Sequence, residues 1–258
     1  MSEDKKIAVK KDSDKKDMQE IAKNARKNVF EKYDYDNLEL TMPVLLKAGV
    51  HFGHQKARRN PKMDQYIFTT RNNINIIDLA KTVELAGEAL EFLESVKKSG
   101  KQILFVGTKK QSCDLVKDVA EYTENPYVVE RWLGGTFTNF RNIRGRTRYM
   151  TRLKDQIEKG DLKKYTKFEQ MKKIEEAEKL DRRMGGIAEM ASLPGAVFVT
   201  DLNADKLAVA EANIVGVPVV ALVDTNVNPA GVTYPIPAND DAVSSITMMF
   251  AHICKALK

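Results

Sequence analysis

Val217-Pro218-Val219-Val220-Ala221-Leu222-Val223 runs for seven residues without one polar side chain. A strand with one wet face alternates apolar and polar positions, whereas a run apolar at every position suits a strand covered on both faces, the habit of parallel sheets sandwiched by helices. Just upstream, residues 205–213 carry helical spacing and 196–200 read as another short strand, giving strand, helix, strand. The alternation occurs earlier as well: Gln102 to Val106 reads as a buried strand, Gln111 to Tyr122 as a helix and Tyr127 to Val129 as a strand. A last helix from about Asp240 to Leu257 closes the unit. The expected fold class is α/β, a parallel-sheet layered domain of Rossmann or flavodoxin type.

Residues 138–184 follow a different pattern. Phe140, Ile143, Met150, Leu153 and Ile157 form one narrow apolar seam, and Phe168, Met171, Ile174, Ala177 and Leu180 form a second, with Gly160-Asp161 between them. Two helices with one thin stripe each are satisfied by packing on each other, so an inserted antiparallel coiled-coil hairpin is expected to protrude from the sheet domain. That domain would comprise residues 37–137 and 185–258. Within it, Thr41 opens a short helix ended by Gly49. Ile67 to Thr70 and Ile74 to Ile77 flank Arg71-Asn72-Asn73 as a hairpin, and Asp78 caps a helix to about Lys98. Residues 1–36, rich in Lys, Asp and Glu, read as a disordered extension with helical tendency around Met18 to Phe30.

The 258 residues carry 42 Lys and Arg against 36 Asp and Glu, a net charge of +6, so the distribution of charge matters more than its sum. Cys113 and Cys254 are far apart and form no C-x-x-C pair, which fits a reducing cytoplasm and argues against a zinc knuckle or disulfide scaffold. The charged N-terminus is no signal peptide, and no run approaches the roughly 20 apolar residues of a membrane helix.

Charge is the strongest local signal. Between Arg131 and Arg152 there are six arginines and no acid, interleaved with Gly, Thr, Asn and aromatic residues. Arginine forks grip phosphate and glycine permits close backbone approach, so the segment suits RNA docking; a solvated helix face is the plainer alternative. A second basic stretch runs from Lys56 to Lys62. Phosphate contacts are expected from Lys56, Arg58, Arg59, Lys62, Lys109, Lys110, Arg131, Arg141, Arg144, Arg146 and Arg148. Trp132, Thr136 and Asn139 are candidate sugar or base-edge partners, with Trp132 equally suited to anchor a core.

The turn Gly107-Thr108-Lys109-Lys110-Gln111 joins a strand to a helix, where anions bind readily, yet it lacks the spacing of a phosphate-binding loop. An RNA phosphate contact or a plain turn explains it equally well. His51 and His54 lack the Glu of a zinc protease helix, and Asp201, Asp224, Asp240 and Asp241 at strand ends are expected to be caps rather than ligands of a divalent ion. No G-x-S-x-G occurs, so no catalytic residue, metal, cofactor or small-molecule substrate is expected. A nucleotide-binding switch at Gly107 to Lys110 is the competing class, and a protein-docking module built on residues 141–183 the third.

The ordered motifs Gly49-Val50-His51-Phe52-Gly53-His54, Asn60-Pro61-Lys62-Met63, Phe105-Val106-Gly107-Thr108-Lys109-Lys110-Gln111, Arg131-Trp132-Leu133-Gly134-Gly135-Thr136, Val223-Asp224-Thr225-Asn226 and Asn239-Asp240-Asp241 resemble the family of bacterial small-subunit ribosomal protein number two over about residues 40–257. The resemblance implies a structural, non-catalytic cytoplasmic protein that binds small-subunit ribosomal RNA. Its implied partners are other small-subunit proteins, including the mRNA-binding ribosomal protein number one. Three positions depart from the family's usual residues: Arg59 stands in place of Trp, Phe137 in place of Leu and Ala238 in place of Gly. At Arg59 the exchange adds a cation and removes a stacking surface.

Overall fold

A computed structural model describes residues 28–35 and 38–258. In chain order the elements are α1 (Met42–Lys47), β1 (Phe52–Gln55), β2 (Ile67–Arg71), β3 (Ile74–Ile77), α2 (Leu79–Lys98), β4 (Ile103–Val106), α3 (Cys113–Thr123), β5 (Tyr127–Val128), α4 (Phe140–Glu158), α5 (Lys167–Met184), β6 (Ala196–Val199), α6 (Lys206–Val215), β7 (Val219–Val223), β8 (Tyr234–Pro237) and α7 (Val243–Ala256). Five strands form one wholly parallel sheet in the order β5-β4-β6-β7-β8. The order reverses between β4 and β6.

The apolar runs in β4, β6 and β7 are buried at every position, as expected for strands covered on both sides. Alternate side chains enter two separate cores. Ile103, Phe105, Phe198, Val220 and Leu222 face one that is completed by α1, α2, α3 and α7. Leu104, Val106, Val197, Val199, Val219 and Val223 face the other, completed by α6, by Met63 and by the root of α4 and α5 through Ile143, Met150 and Met184. The expected N-terminal extension is described only in part. Within it, Phe30 is fully buried against Phe250, while Tyr33 and Tyr35 pack on the same core. Its aromatic residues bury enough surface there to order residues 28–35, which a reading of net charge misses. The helix proposed from Met18 lies outside the described residues, except for the 3₁₀ turn Val29–Lys32.

A second, three-stranded antiparallel sheet has the order β1-β3-β2. Asn72 and Asn73 hold positive φ at the β2–β3 turn, as the hairpin required. Strand β1 was not foreseen, because Gly53 and His54 interrupt its apolar pattern. Strand β8 was missed for a related reason: Pro235 and Pro237 weaken a strand assignment, but at a sheet edge a missing N–H costs little. At the opposite edge β5 has only two residues, and Gly186 of the Gly185–Ile187 turn lies against Tyr127, with no room for a Cβ.

Helices α4 and α5 pack on each other in a way that corrects the expected second seam. Phe168, Met171 and Ile174 are 60%, 53% and 39% exposed, whereas Ala177 and Met184 are buried. The Lys154–Asp181 pair of 2.5 Å and the hydrogen bond from Tyr149 Oη to Glu176 Oε2 (3.3 Å) join the two helices, while the apolar side chains in the first turns of α5 stay largely exposed. Their apolar side chains are covered only locally, as where the Lys172 ammonium lies 4.5 Å from the Phe168 ring centre.

Candidate nucleic-acid interface and the charge cluster at the strand ends

The basic residues expected to meet phosphate fall into two sets. Lys56, Arg58, Lys62, Lys110, Arg131, Arg141, Arg146 and Arg148 are exposed, and Arg59 and Arg144 are partly so. The first basic loop is tied to the end of β7 by a hydrogen bond from Asn60 N to Thr225 O (2.9 Å) and is anchored by fully buried Met63. The Arg-rich segment is anchored by Trp132, Phe137 and Ile143 in that same core. Both basic segments are therefore rooted on one face of the parallel sheet. Arg59 donates from Nε to Asp64 Oδ1 at 2.6 Å, so this added arginine is partly spent within its own loop.

Trp132 takes the core-anchor alternative, and Thr136 corrects an expectation. Both are buried, and their polar atoms face inward: Trp132 Nε1 donates to Glu211 Oε1 (3.1 Å) and Thr136 Oγ1 to Leu133 O (2.6 Å). Neither has a polar atom to offer a sugar or a base. Asn139, by contrast, is exposed at the start of α4.

Glu211 organises this loop, and the sequence reading did not single it out. Its carboxylate also accepts from Gly135 N (2.7 Å), Phe137 N (3.0 Å), Thr138 N (3.3 Å) and Thr138 Oγ1 (3.3 Å) while only 4% exposed. Burial raises its pKa, but the Phe137 and Gly135 amides and the Trp132 indole together outweigh that, so the net shift is downward. The available clue was positional, since Glu211 shares a helix stripe with Ala208, Ala212 and Val215, where a solvated acid would not sit.

The crevice beyond the C-terminal ends of β4, β6 and β7, where open α/β sheets bind ligands, is filled with the protein's own charges. Lys109 Nζ lies 2.7 Å from Asp241, 3.0 Å from Asp240 and 3.3 Å from Asp201. Thr108 gives its backbone N–H and hydroxyl to Asp205 at 3.3 and 2.9 Å. His54 bridges Asp224 (3.0 Å) and Asp241 (3.2 Å); the first contact is off the hydrogen-bonding axis, leaving Asp224 Oδ2 without an aligned donor. This corrects the expectation that Lys109 meets phosphate, because three carboxylates hold its ammonium. It also corrects the aspartates' expected role as caps: Asp201 makes a turn, accepting from Asn203 N and Ala204 N ahead of the helix, and all four gather around one cation or its histidine neighbour. Gly107 is explained by packing, since a Cβ there would meet Thr200 Oγ1 at 2.6 Å and Val116 Cγ2 at 2.7 Å. A nucleotide phosphate would encounter carboxylates where it needs donors.

One nitrogen of His54 and one oxygen each of Asp224 and Asp240 lie within 4.8 Å of one another, a set able to ligate a cation, although Lys109 already supplies positive charge beside it. Burial is the main influence raising the Asp240 pKa, to about 7, with Asp224 and Asp201 adding and Lys109 opposing. Asp205 is raised to about 6, again chiefly by burial. The close Asp224 carboxylate is the main influence raising His54, against the opposing effect of burial. A carboxyl whose pKa rises on folding contributes stability that is complete below its unfolded value of 3.8 and is lost as pH climbs through the folded value. His54 acts in the same direction, losing its contribution as pH rises through its raised pKa. Through these groups melting temperature is expected to fall between about pH 4 and pH 8, with His252, lowered to about 4 by burial, acting in the opposite direction; Asp240→Asn is expected to flatten the fall, and an unchanged slope would assign it to other groups.

Residues 45–258 match the family described as "Ribosomal protein S2". The chain belongs to the ribosomal protein S2 family. Among its relatives are the small ribosomal subunit protein uS2 of Roseiflexus castenholzii, 49% identical over 84% of this chain and 82% of that one, and the uS2 of Salinibacter ruber, 47% identical over 85% and 68%. Membership in the S2 family makes this a structural, rRNA-binding ribosomal protein and not an enzyme, in keeping with a strand-end crevice that is closed by internal charge pairs. Among the described residues no helix is long and apolar enough to cross a membrane.

Proposed function

We propose that the chain is held on the small subunit in the cytoplasm by two basic segments acting together: the Lys56 to Lys62 loop, and the run Arg131 to Arg148, which includes Asn139 at the start of α4. The observation that carries this reading is the exposure of the acid-free arginine run on α4 above the core that also anchors the first loop. Lys110 adds a contact at the end of β4, while Lys109, Trp132 and Thr136 act indirectly by shaping the surface. The sheet order, counted along the chain as 2-1-3-4-5, is that of flavodoxin-like domains. This domain, residues 37–137 and 185–258, serves as a rigid platform, and 138–184 as a projecting antiparallel coiled-coil hairpin.

A second contact surface is favoured by the apolar strip Phe168, Met171 and Ile174. Its exposure suits a protein partner better than RNA, and we assign it to another small-subunit protein, with ribosomal protein number one the expected candidate.

Cosedimentation of the full chain with small subunits across increasing salt tests the RNA reading. Replacing Arg144 and Arg148, four residues apart on one helix, with Glu is expected to weaken binding roughly 30-fold, at about 1 kcal/mol per lost contact. The log–log salt slope is expected to fall by about two. Recovery at full strength with the wild-type slope would mean that this face points away from RNA.

A further inference from the structure

Beside the first basic loop, between the start of α6 and the segment after β7, lies a cleft of about 540 Å³ whose lining fits neither an ion-pair surface nor a protein core. Five of its eleven lining residues are asparagines, namely Asn60, Asn203, Asn213, Asn226 and Asn228, and none is acidic. Its apolar lining includes the buried side chains of Leu202, Val209 and Val227, and its one charge is Lys206.

The asparagines are only partly used. Asn60 and Asn228 are steadied by backbone N–H groups donating to their Oδ1 atoms, and Asn213 by donating from Nδ2 to Gly231 O. That leaves the other half of each carboxamide open. Asn226 Oδ1 is shielded from solvent and has no hydrogen-bond partner among the described residues, a cost that rotating its carboxamide toward a ligand donor in the cleft would relieve.

Carboxamides present a donor and an acceptor side by side, which matches the edge of a nucleobase, and apolar walls suit its faces. The volume is within the range of small-ligand pockets, about 300–1,000 Å³. We propose that this cleft receives one unpaired base of the small-subunit RNA, with its edge read by Asn203 and Asn226 and its phosphate met by Lys206. The inference rests on the RNA-binding reading and adds to it a site that recognises a base rather than backbone charge.

The test uses small subunits reconstituted with the full chain. Watson–Crick edges are probed with dimethyl sulfate for A and C and with a carbodiimide for G and U. Wild-type protein is compared with N203A/N226A and with A210F, which fills the cleft from an exposed helix position. One unpaired nucleotide is expected to become about fivefold or more reactive in both variants, while cosedimentation and the backbone footprint stay as in wild type. Wild-type reactivity at every nucleotide, with the variants fully bound, overturns the proposal, as does finding a neighbouring protein crosslinked into the cleft. If N203A/N226A leaves the particle, A210F decides. Failure of the wild-type chain to cosediment would instead overturn the RNA reading itself.

Discussion

Glu211→Ala is expected to lower the melting temperature by roughly 10 °C or more, the largest stability loss of any single change considered. The carboxylate is buried and receives the Trp132 indole and the amides of Gly135, Phe137 and Thr138. Each donor left unsatisfied costs about 1–3 kcal/mol, and water entering the space recovers part of it, so a net loss of about 4 kcal/mol follows. Because the segment released is the one leading into the arginines of α4, RNA affinity should fall as well. Glu211→Gln tests the logic, since it keeps the shape but places an NH₂ against N–H donors; an intermediate loss is expected. Circular dichroism melts and amide exchange at Gly135 and Phe137 check both variants, and a Glu211→Ala protein melting within 2 °C or so of wild type would show that the loop is held by packing alone.

Lys109→Met is expected to be nearly as damaging, and unlike the first its cost depends on pH. Removing one partner of a buried charge cluster leaves the remaining carboxylates uncompensated, at about 3 kcal/mol or more. His54 and, beside Asp241, Arg58 would then remain to oppose the carboxylates. Near pH 5 Asp240, already raised to about 7, is protonated and needs no counter-charge. Near pH 8 it is ionised. The difference in melting temperature between Lys109→Met and wild type should therefore widen from about pH 5 to pH 8. A constant difference would place the damage in lost packing of the lysine stem rather than in its charge.

Both residues mark the limit of what the sequence discloses. The parallel sheet is legible because each of its three central strands is apolar at every position, and the Asn72-Asn73 turn is legible because few residues accept positive φ. The arginine run is legible as charge. Burial of charge is not, because it depends on what a distant segment brings: Glu211 meets a loop some 75 positions upstream, and Lys109 meets acids about 90 to 130 positions downstream. Read alone, Lys109 looks like a solvated surface residue, and Glu211 shows only its place on an apolar helix stripe, not what it meets. The exposure of Phe168, Met171 and Ile174 is hidden for a similar reason, since the period of a seam does not state what covers it.

Pro235 and Pro237 at one margin of the parallel sheet, and the two-residue β5 with Gly186 pressed against it at the other, bear on the chain's life before assembly. A newly made ribosomal protein waits among many others at high concentration, and an open row of backbone donors and acceptors is an invitation to stack with its neighbours. Here one margin lacks donors and the other is too short and too closely covered to extend. The parallel sheet can therefore keep its solubility while the basic loops remain free for the RNA that has not yet arrived.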